Sequence, residues 1–301
     1  MASQSPLARF LSIFTALFGV ASTHLPAEVP SNFKTENLAA WCVAHRWDAE
    51  NRSPDARAQM LRDLGVGRLA YNWTKQDNPD FEAEILATQK YGINYFAFWN
   101  EDETAFALFE KYGLHPQIWK TCPSPTGDTQ SERVAFAVKR LAPFAQRARE
   151  LGSQFGLYNH RGWGGHPENL VAVCQELRRL GYDNVGIVYN FHHSHDEMDR
   201  FADYLALMQP YLLCINLNGM ADQNTVDPKV LTTMIHPIGS QQHEAAMIKT
   251  VIASGYVGPI GIIGHTEGLD TAQVLRQNLV GLVTILDRLT MPDPNRPIKM
   301  D

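Results

Sequence analysis

The sequence predicts a single (β/α)8 barrel with eight parallel strands, and three observations predict it. Short apolar runs alternate with stretches of 3.6-residue periodicity along nearly the whole chain. Eight such strand–helix pairs fit in 301 residues, more than a doubly wound open sheet usually holds. Glycine closes six helical stretches just before the next strand, at Gly65, Gly92, Gly113, Gly152, Gly181 and Gly255. Glycine there adopts the left-handed conformation that ends a helix. No glycine-rich phosphate loop follows any strand, which argues against a dinucleotide fold.

The first 27 residues read as an export leader. Arg9 is their only charge, the apolar run Phe10–Val20 follows, and the small residues Ala21, Ser22 and Ala27 set a cleavage point near 22–27. The barrel is expected over 38–290, with a tail at 291–301. Its first unit pairs strand Ala40–Ala44 with helix Pro54–Leu64, where Ser53 caps and proline takes the first helical position. Strand Arg68–Asn72 precedes helix Asp80–Lys90, and strand Asn94–Phe98 precedes helix Glu103–Tyr112. Strand Pro116–Trp119 leads to helix Glu132–Leu151, opened by Ser131 and Glu132. Strand Phe155–Asn159 is followed by helix Pro167–Leu180, and strand Val185–Asn190 by helix Asp196–Met208. The last two units pair Leu212–Leu217 with Glu244–Ala253 and Ile260–Gly264 with Ala272–Leu289.

Composition narrows the partners. With 45% hydrophobic and 19% charged residues the chain is of ordinary globular type. A net charge of −6 argues against nucleic acid, which needs a basic face to displace phosphate counterions. No apolar run reaches the ~20 residues of a membrane span. The cysteines, Cys42, Cys122, Cys174 and Cys214, are widely spaced, form no CxxC pair, and read as structural.

Barrel active sites lie at the carboxyl ends of the strands. The expected ends hold His45, Trp47, Asp48, Asn72, Trp73, Trp99, Glu101, Asp102, Trp119 and Lys120 in the first half. The second half adds Tyr158, His160, Trp163, Asn190, His192, His193, His195, Asn216, Asn218, His265 and Glu267. Five of the six tryptophans fall at this face, all but Trp41. Aromatic rings stack on the C–H faces of a sugar, and amides pair with its hydroxyls. His45, Trp47, Trp73, Trp99, Trp119, Tyr158, Trp163, Asn190, Asn216 and Asn218 are therefore the expected sugar-binding residues. His193, His160 and His265 are the candidate acids and bases, because imidazole shuttles protons near neutral pH. Lys120 joins them on the expectation that burial in the barrel mouth lowers its pKa. The carboxylates Asp48, Glu101 and Asp102 are further candidates for base or ligand. His160, His192, His193, His195 and His265 are also candidate ligands for one divalent ion.

At these residues the chain resembles the sugar phosphate isomerase/epimerase superfamily, whose fold is the xylose isomerase-like barrel. The resemblance runs from about Leu38 to Leu289. It rests on Ala40-Trp41-Cys42-Val43, Gly156-Leu157-Tyr158-Asn159-His160, Asn190-Phe191-His192-His193, Leu217-Asn218-Gly219 and Gly255-Tyr256-Val257-Gly258-Pro259. The resemblance implies a divalent metal held by Glu, Asp, His and Glu on the last four strands. In register those positions are Tyr158, Asn190, Asn216 and Ile263 or Gly264, while His193 matches a family histidine. The usual ligand set is thus absent. Either the histidines rebuild a metal site or the site works without metal.

The expectation is an exported sugar isomerase or epimerase. It would act on an unphosphorylated sugar or glycoside by proton transfer next to a carbonyl or carbinol carbon, with elimination or hydration as a variant outcome. The alternative is a non-catalytic carbohydrate-binding barrel. A metal-dependent hydrolase of the endonuclease IV kind fits poorly with the acidic charge.

Overall fold

In a computed structural model, which describes residues 28–74, 81–265 and 268–290, eight parallel strands close into one barrel in sequence order. The expected leader, the tail at 291–301, Glu267 and the side chain of His45 lie outside the described residues. The strands are β1 (Ala39–Trp41), β2 (Arg68–Asn72), β3 (Asn94–Trp99), β4 (Gln117–Thr121), β5 (Phe155–Tyr158), β6 (Val185–Asn190), β7 (Leu212–Leu217) and β8 (Ile260–Ile263). Strand β8 pairs back onto β1, Ile262 opposite Ala40, which abolishes the sheet edges.

The described residues form ten α-helices: α1 (Pro54–Asp63), α2 (Phe81–Tyr91), α3 (Glu103–Tyr112), α4 (Gln130–Glu150), α5 (Gly162–Gly165), α6 (Pro167–Arg179), α7 (Phe201–Met208), α8 (Leu231–Met234), α9 (Glu244–Ala253) and α10 (Thr271–Thr290). Ser53 caps α1 as expected, accepting from the Ala56 amide at 3.3 Å. The cap of α4 is Thr129, not Ser131. Thr129 and Glu132 satisfy each other's backbone amides, so Glu132 is the third helical residue rather than the first. The helix expected at 196–208 begins as a tighter 3₁₀ segment, His195–Arg200, before α7. The six helix-ending glycines all have positive φ, between 61° and 93°.

Strand alternation divides the side chains between two cores. Leu69, Tyr71, Tyr95, Phe98, Phe155, Leu157, Ile187, Ile215 and Ile262 point outward into the layer between sheet and helices. Trp41, Ala70, Trp119, Tyr158, Val188, Cys214 and Ile263 fill the barrel interior. Trp41 meets Trp119 edge-on at 5.1 Å between ring centroids and Tyr158 at 5.8 Å. The Trp119 indole donates to Gln117 Oε1 at 2.8 Å. These rings fit because Gly156 has no side chain: a Cβ there would lie 2.6 Å from Val188 Cγ2 and 2.8 Å from Trp119 Cδ1. The aromatic cluster is a solid floor beneath the mouth of the barrel. A segment from Gly219 to His236, joined at its ends by an antiparallel bridge, crosses above it and sets Met234 and Ile235 on the interior cluster. Among the described residues no helix is long and apolar enough to cross a membrane.

Placing a methyl group at Gly156 must displace Trp119 or Val188, and such overpacking typically costs about 1–3 kcal/mol. Gly156→Ala is expected to lower unfolding free energy by that amount in urea titration and to alter the near-ultraviolet dichroism of the tryptophans. Wild-type stability in this variant would show that the floor is loosely packed.

Candidate functional site

Above the floor lies a cavity of about 270 Å3 at the carboxyl ends of the strands, close to the lower end of small-ligand pockets. Trp41, Trp47 and Trp99 give it aromatic walls, Tyr158 and Ile263 its base, and Leu231 and Ile235 of the crossing segment a partial roof. His160, His192, His193 and His265 bring imidazoles to the same space, with Asn72, Thr74 and Arg46 at one side. No Asp or Glu of the described residues lines it.

The imidazoles come from two adjacent strand ends, β5 and β6, and from the end of β8, one strand beyond β7. His160 follows β5, and the 3₁₀ turn Phe191–His193 follows β6 directly. The His160 and His193 rings lie 4.2 Å apart between centroids, and His192 and His193 lie 3.8 Å apart. His265, after β8, lines the same cavity and sits 3.9 Å from the Trp47 ring. Burial holds His192 and His193 well below the ordinary imidazole pKa, with the neighbouring histidines adding to the effect. Burial also lowers His160, and it brings His265 and His195 down to about 4. All five rings are therefore neutral at pH 7 and able to accept a proton. Nδ1 of His193 and of His265 are buried without a protein partner, as is Nε2 of His195. Buried polar atoms are rarely left so unless water or ligand completes them. A second chamber of about 50 Å3 lies behind His192 and His193 and is lined by His195, Asp196 and Arg161.

Backbone strain clusters at the same face. Cys42, Asn100 and Arg161 follow β1, β3 and β5, and they are three of the four non-glycine residues with positive φ among those described. Arg161, at φ 60° and ψ −178°, occupies a region nearly reserved for glycine. Its guanidinium donates to the Pro228 carbonyl at 2.5 Å, tying the β5 end to the crossing segment.

Several expected site residues are placed elsewhere by strand alternation. Lys120 neighbours the inward Trp119 in β4 and so points outward, where it pairs with Glu101 at 2.9 Å and lies over the Phe144 ring. Trp73 follows the inward Asn72 and packs in the outer core, 6.0 Å from Phe98. Trp119 is wholly buried in the barrel floor. Trp163 lies in α5 and donates to Gln130 on α4. The carboxylates serve structure: Asp102 caps α3, and Asp48 binds Arg52 and the Thr271 amide that opens α10. Sequence reasoning missed Trp41, Ile235 and Leu231. Trp41 was readable as a strand residue but not as one facing inward, and nothing local marks the other two.

The expected amide ligands of a sugar are instead bound to one another. Asn159 Oδ1 accepts from both the amide nitrogen and the side chain of Asn190 at 2.7 Å, and its own Nδ2 donates to the Asn190 carbonyl. Asn190 Oδ1 accepts from Asn216 Nδ2 at 2.7 Å. Asn216 Oδ1 takes the Cys214 thiol and lies against Gly261, where a Cβ would be 1.8 Å away. Asn218 is fully buried and donates to the Gly219 and Met234 carbonyls, fixing the crossing segment. Asn72 remains at the cavity. In the amide orientation that satisfies its neighbours, its oxygen accepts from Arg46 Nη2 at 3.0 Å and from the Trp47 indole.

The same ladder tests the divalent ion that the family resemblance implies. A hard dication needs anionic or convergent oxygen and nitrogen donors. The four strand-end positions present a phenol, two mutually engaged amides and the apolar Ile263. The imidazoles lie close to one another at tilted angles of 43–49°, and no three His, Cys, Asp or Glu side chains among the described residues converge as ligands. The residues present do not fit the ion. All four cysteines are free thiols.

The chain matches no known protein-family model, and no curated protein sequence is significantly similar to it. Solved structures do share its fold. The 3-keto-D-glucoside 4-epimerase of E. coli is 16% identical with a TM-score of 0.58, over 77% of this chain and 95% of its own. An L-ribulose 3-epimerase is 11% identical with a TM-score of 0.63, over 86% and 99%. The IOLI protein, solved with a bound zinc atom, is 10% identical with a TM-score of 0.63, over 84% and 99%. The fold is the xylose isomerase-like barrel of sugar epimerases and isomerases.

The neutral histidines predict acid lability with a definite sign. Their folded pKa values lie below the unfolded value of about 6.5, so the unfolded chain binds more protons below that pH and stability falls with it. For His195 and His265 the loss runs from about pH 6.5 to about 4 and reaches at most about 3 kcal/mol per ring. Glu197, raised to about 7 by burial, opposes this, because its folded form holds a proton that the unfolded form has released. Urea midpoints are expected to fall between pH 7 and 5, and to fall more steeply in Glu197→Gln. A flat profile in both proteins would mean that the rings are solvated.

Proposed function

We propose that the protein is an exported sugar isomerase or epimerase acting on an unphosphorylated sugar or glycoside. One observation carries the reading: neutral imidazoles and tryptophan rings face one another across a single cavity at the carboxyl ends of the barrel strands. Aromatic walls hold the apolar face of a sugar ring, and a buried neutral imidazole removes a proton from a carbon made acidic by an adjacent carbonyl. His193 and His160 from the ends of β6 and β5, and His265 from the end of β8, give more than one proton-carrying group at the same cavity. The epimerase names among the structural neighbours support the same reaction class. The leader-like first 27 residues support export.

Incubation in D2O with ketohexoses, aldoses and 3-keto-glucosides tests this reading whatever the product. Deuterium is expected to enter the carbon beside the carbonyl of at least one sugar. His193→Ala should lower that exchange about 10²–10⁴-fold, the usual contribution of a general base, with far-ultraviolet dichroism unchanged. Saturable sugar binding with no deuterium uptake would instead establish a carbohydrate-binding barrel.

A further inference from the structure

We propose that this barrel performs its proton transfer without a divalent cation, and that the Tyr158 hydroxyl, held by the Trp41 indole, provides the electrophilic contact to the substrate oxygen. The inference rests on the isomerase reading above and assigns the group that stabilises charge in it. Abstraction of a proton beside a carbonyl moves an electron pair onto the carbonyl oxygen, and something must stabilise that oxygen. The three positions at which the resemblance implies carboxylate ligands hold Tyr158, Asn190 and Ile263 or Gly264. Asn190 is held by Asn159 and Asn216 by Asn190, and each is a neutral amide, so neither supplies the anionic oxygen that a hard dication needs. Asn216 Oδ1 occupies the space that a side chain at position 261 would fill, which Gly261 leaves open.

Tyr158 differs from these amides. It lines the cavity, and its oxygen accepts from Trp41 Nε1 at 3.2 Å. No described residue accepts the phenol's own proton, which leaves that O–H to donate to a ligand. Burial raises its pKa well above the ordinary phenol, so it stays a neutral donor at any working pH. Its ring lies 5.9 Å from that of His193 and 6.2 Å from that of Trp99, which puts donor, base and aromatic wall around one space. The balance closes within the pair. The imidazole takes the carbon-bound proton, the electron pair moves to the carbonyl oxygen, and that oxygen receives the Tyr158 hydrogen bond. A proton then returns to that carbon; for transfer to the neighbouring carbon, the proton of the substrate's adjacent hydroxyl passes to the former carbonyl oxygen as the new carbonyl forms, so neither outcome needs an oxidant or reductant. A hydrogen-bond donor already aimed at the developing charge acts in a water-poor site without reorganisation.

Two measurements on the full protein test this. Mn2+ titration, followed by calorimetry and by proton relaxation of the histidine rings, is expected to show no saturable uptake at the cavity, and EDTA should leave deuterium exchange unchanged. Tyr158→Phe, which keeps the ring against Trp41 and Trp119, should lower kcat about 10²–10³-fold while KM changes less than threefold. One Mn2+ per chain that broadens the His193 resonances would overturn the cation-free site. Undiminished kcat in Tyr158→Phe would overturn the role of the hydroxyl while leaving the isomerase reading intact. Wild-type protein that neither binds nor exchanges any sugar of the panel would remove the isomerase reading, and this inference with it.

Discussion

Filling the inside of an eight-stranded barrel is the constraint on which the rest of this structure depends. A closed ring of eight strands leaves room for side chains and nothing more. Here Trp41, Trp119 and Tyr158 take most of that room, and the strands facing them contribute Gly156, Ala70 and Ala97. Large against small keeps the density high without pushing strands apart. Because the plug is solid, the cavity above it has a floor, and what reaches the cavity is decided by which residues extend one step beyond the plug.

The same geometry explains why the mouth of the barrel is chemically unusual. Side chains at this level either face the cavity or face each other across neighbouring strand ends. Tyr158, His160, His193 and His265 face the cavity. Asn159, Asn190 and Asn216 lie at the same height but satisfy one another across β5, β6 and β7. Unpaired buried amides would be costly, and a ladder meets that cost with hydrogen bonds rather than with an ion. The ladder also fixes the turn after β6, which delivers His192 and His193 to the wall. Polar residues that a dication would otherwise organise are here organised by amides.

Burial, in turn, sets the protonation of the histidines. Rings packed at 3.8–4.2 Å between centroids cannot all be charged in a site with no carboxylate on its wall. Neutral imidazole is the form that accepts a proton from carbon, so packing and chemistry point to the same state. The orphaned ring nitrogens of His193 and His265 mark where water or ligand completes the site.

Much of this was legible in the residues themselves. Strands β2, β6 and β7 have the bounds that their apolar runs predict, and the helix-ending glycines have the φ values that their position requires. The histidine run after β6 and its partners His160 and His265 were visible as strand-end residues. Sequence alone did not separate inward from outward, because a one-residue error in a strand end exchanges the two faces. Lys120 and Trp73 are outward for that reason, while Trp41 is inward. Nor did composition show that Asn190 and Asn216 bind each other, since hydrogen bonds between residues 26 apart exist only once β6 and β7 lie side by side. The sequence by itself determined the barrel, through periodicity and turn chemistry, both of which are local. Tertiary structure alone decided which side chains share the cavity, because that depends on register around a closed ring.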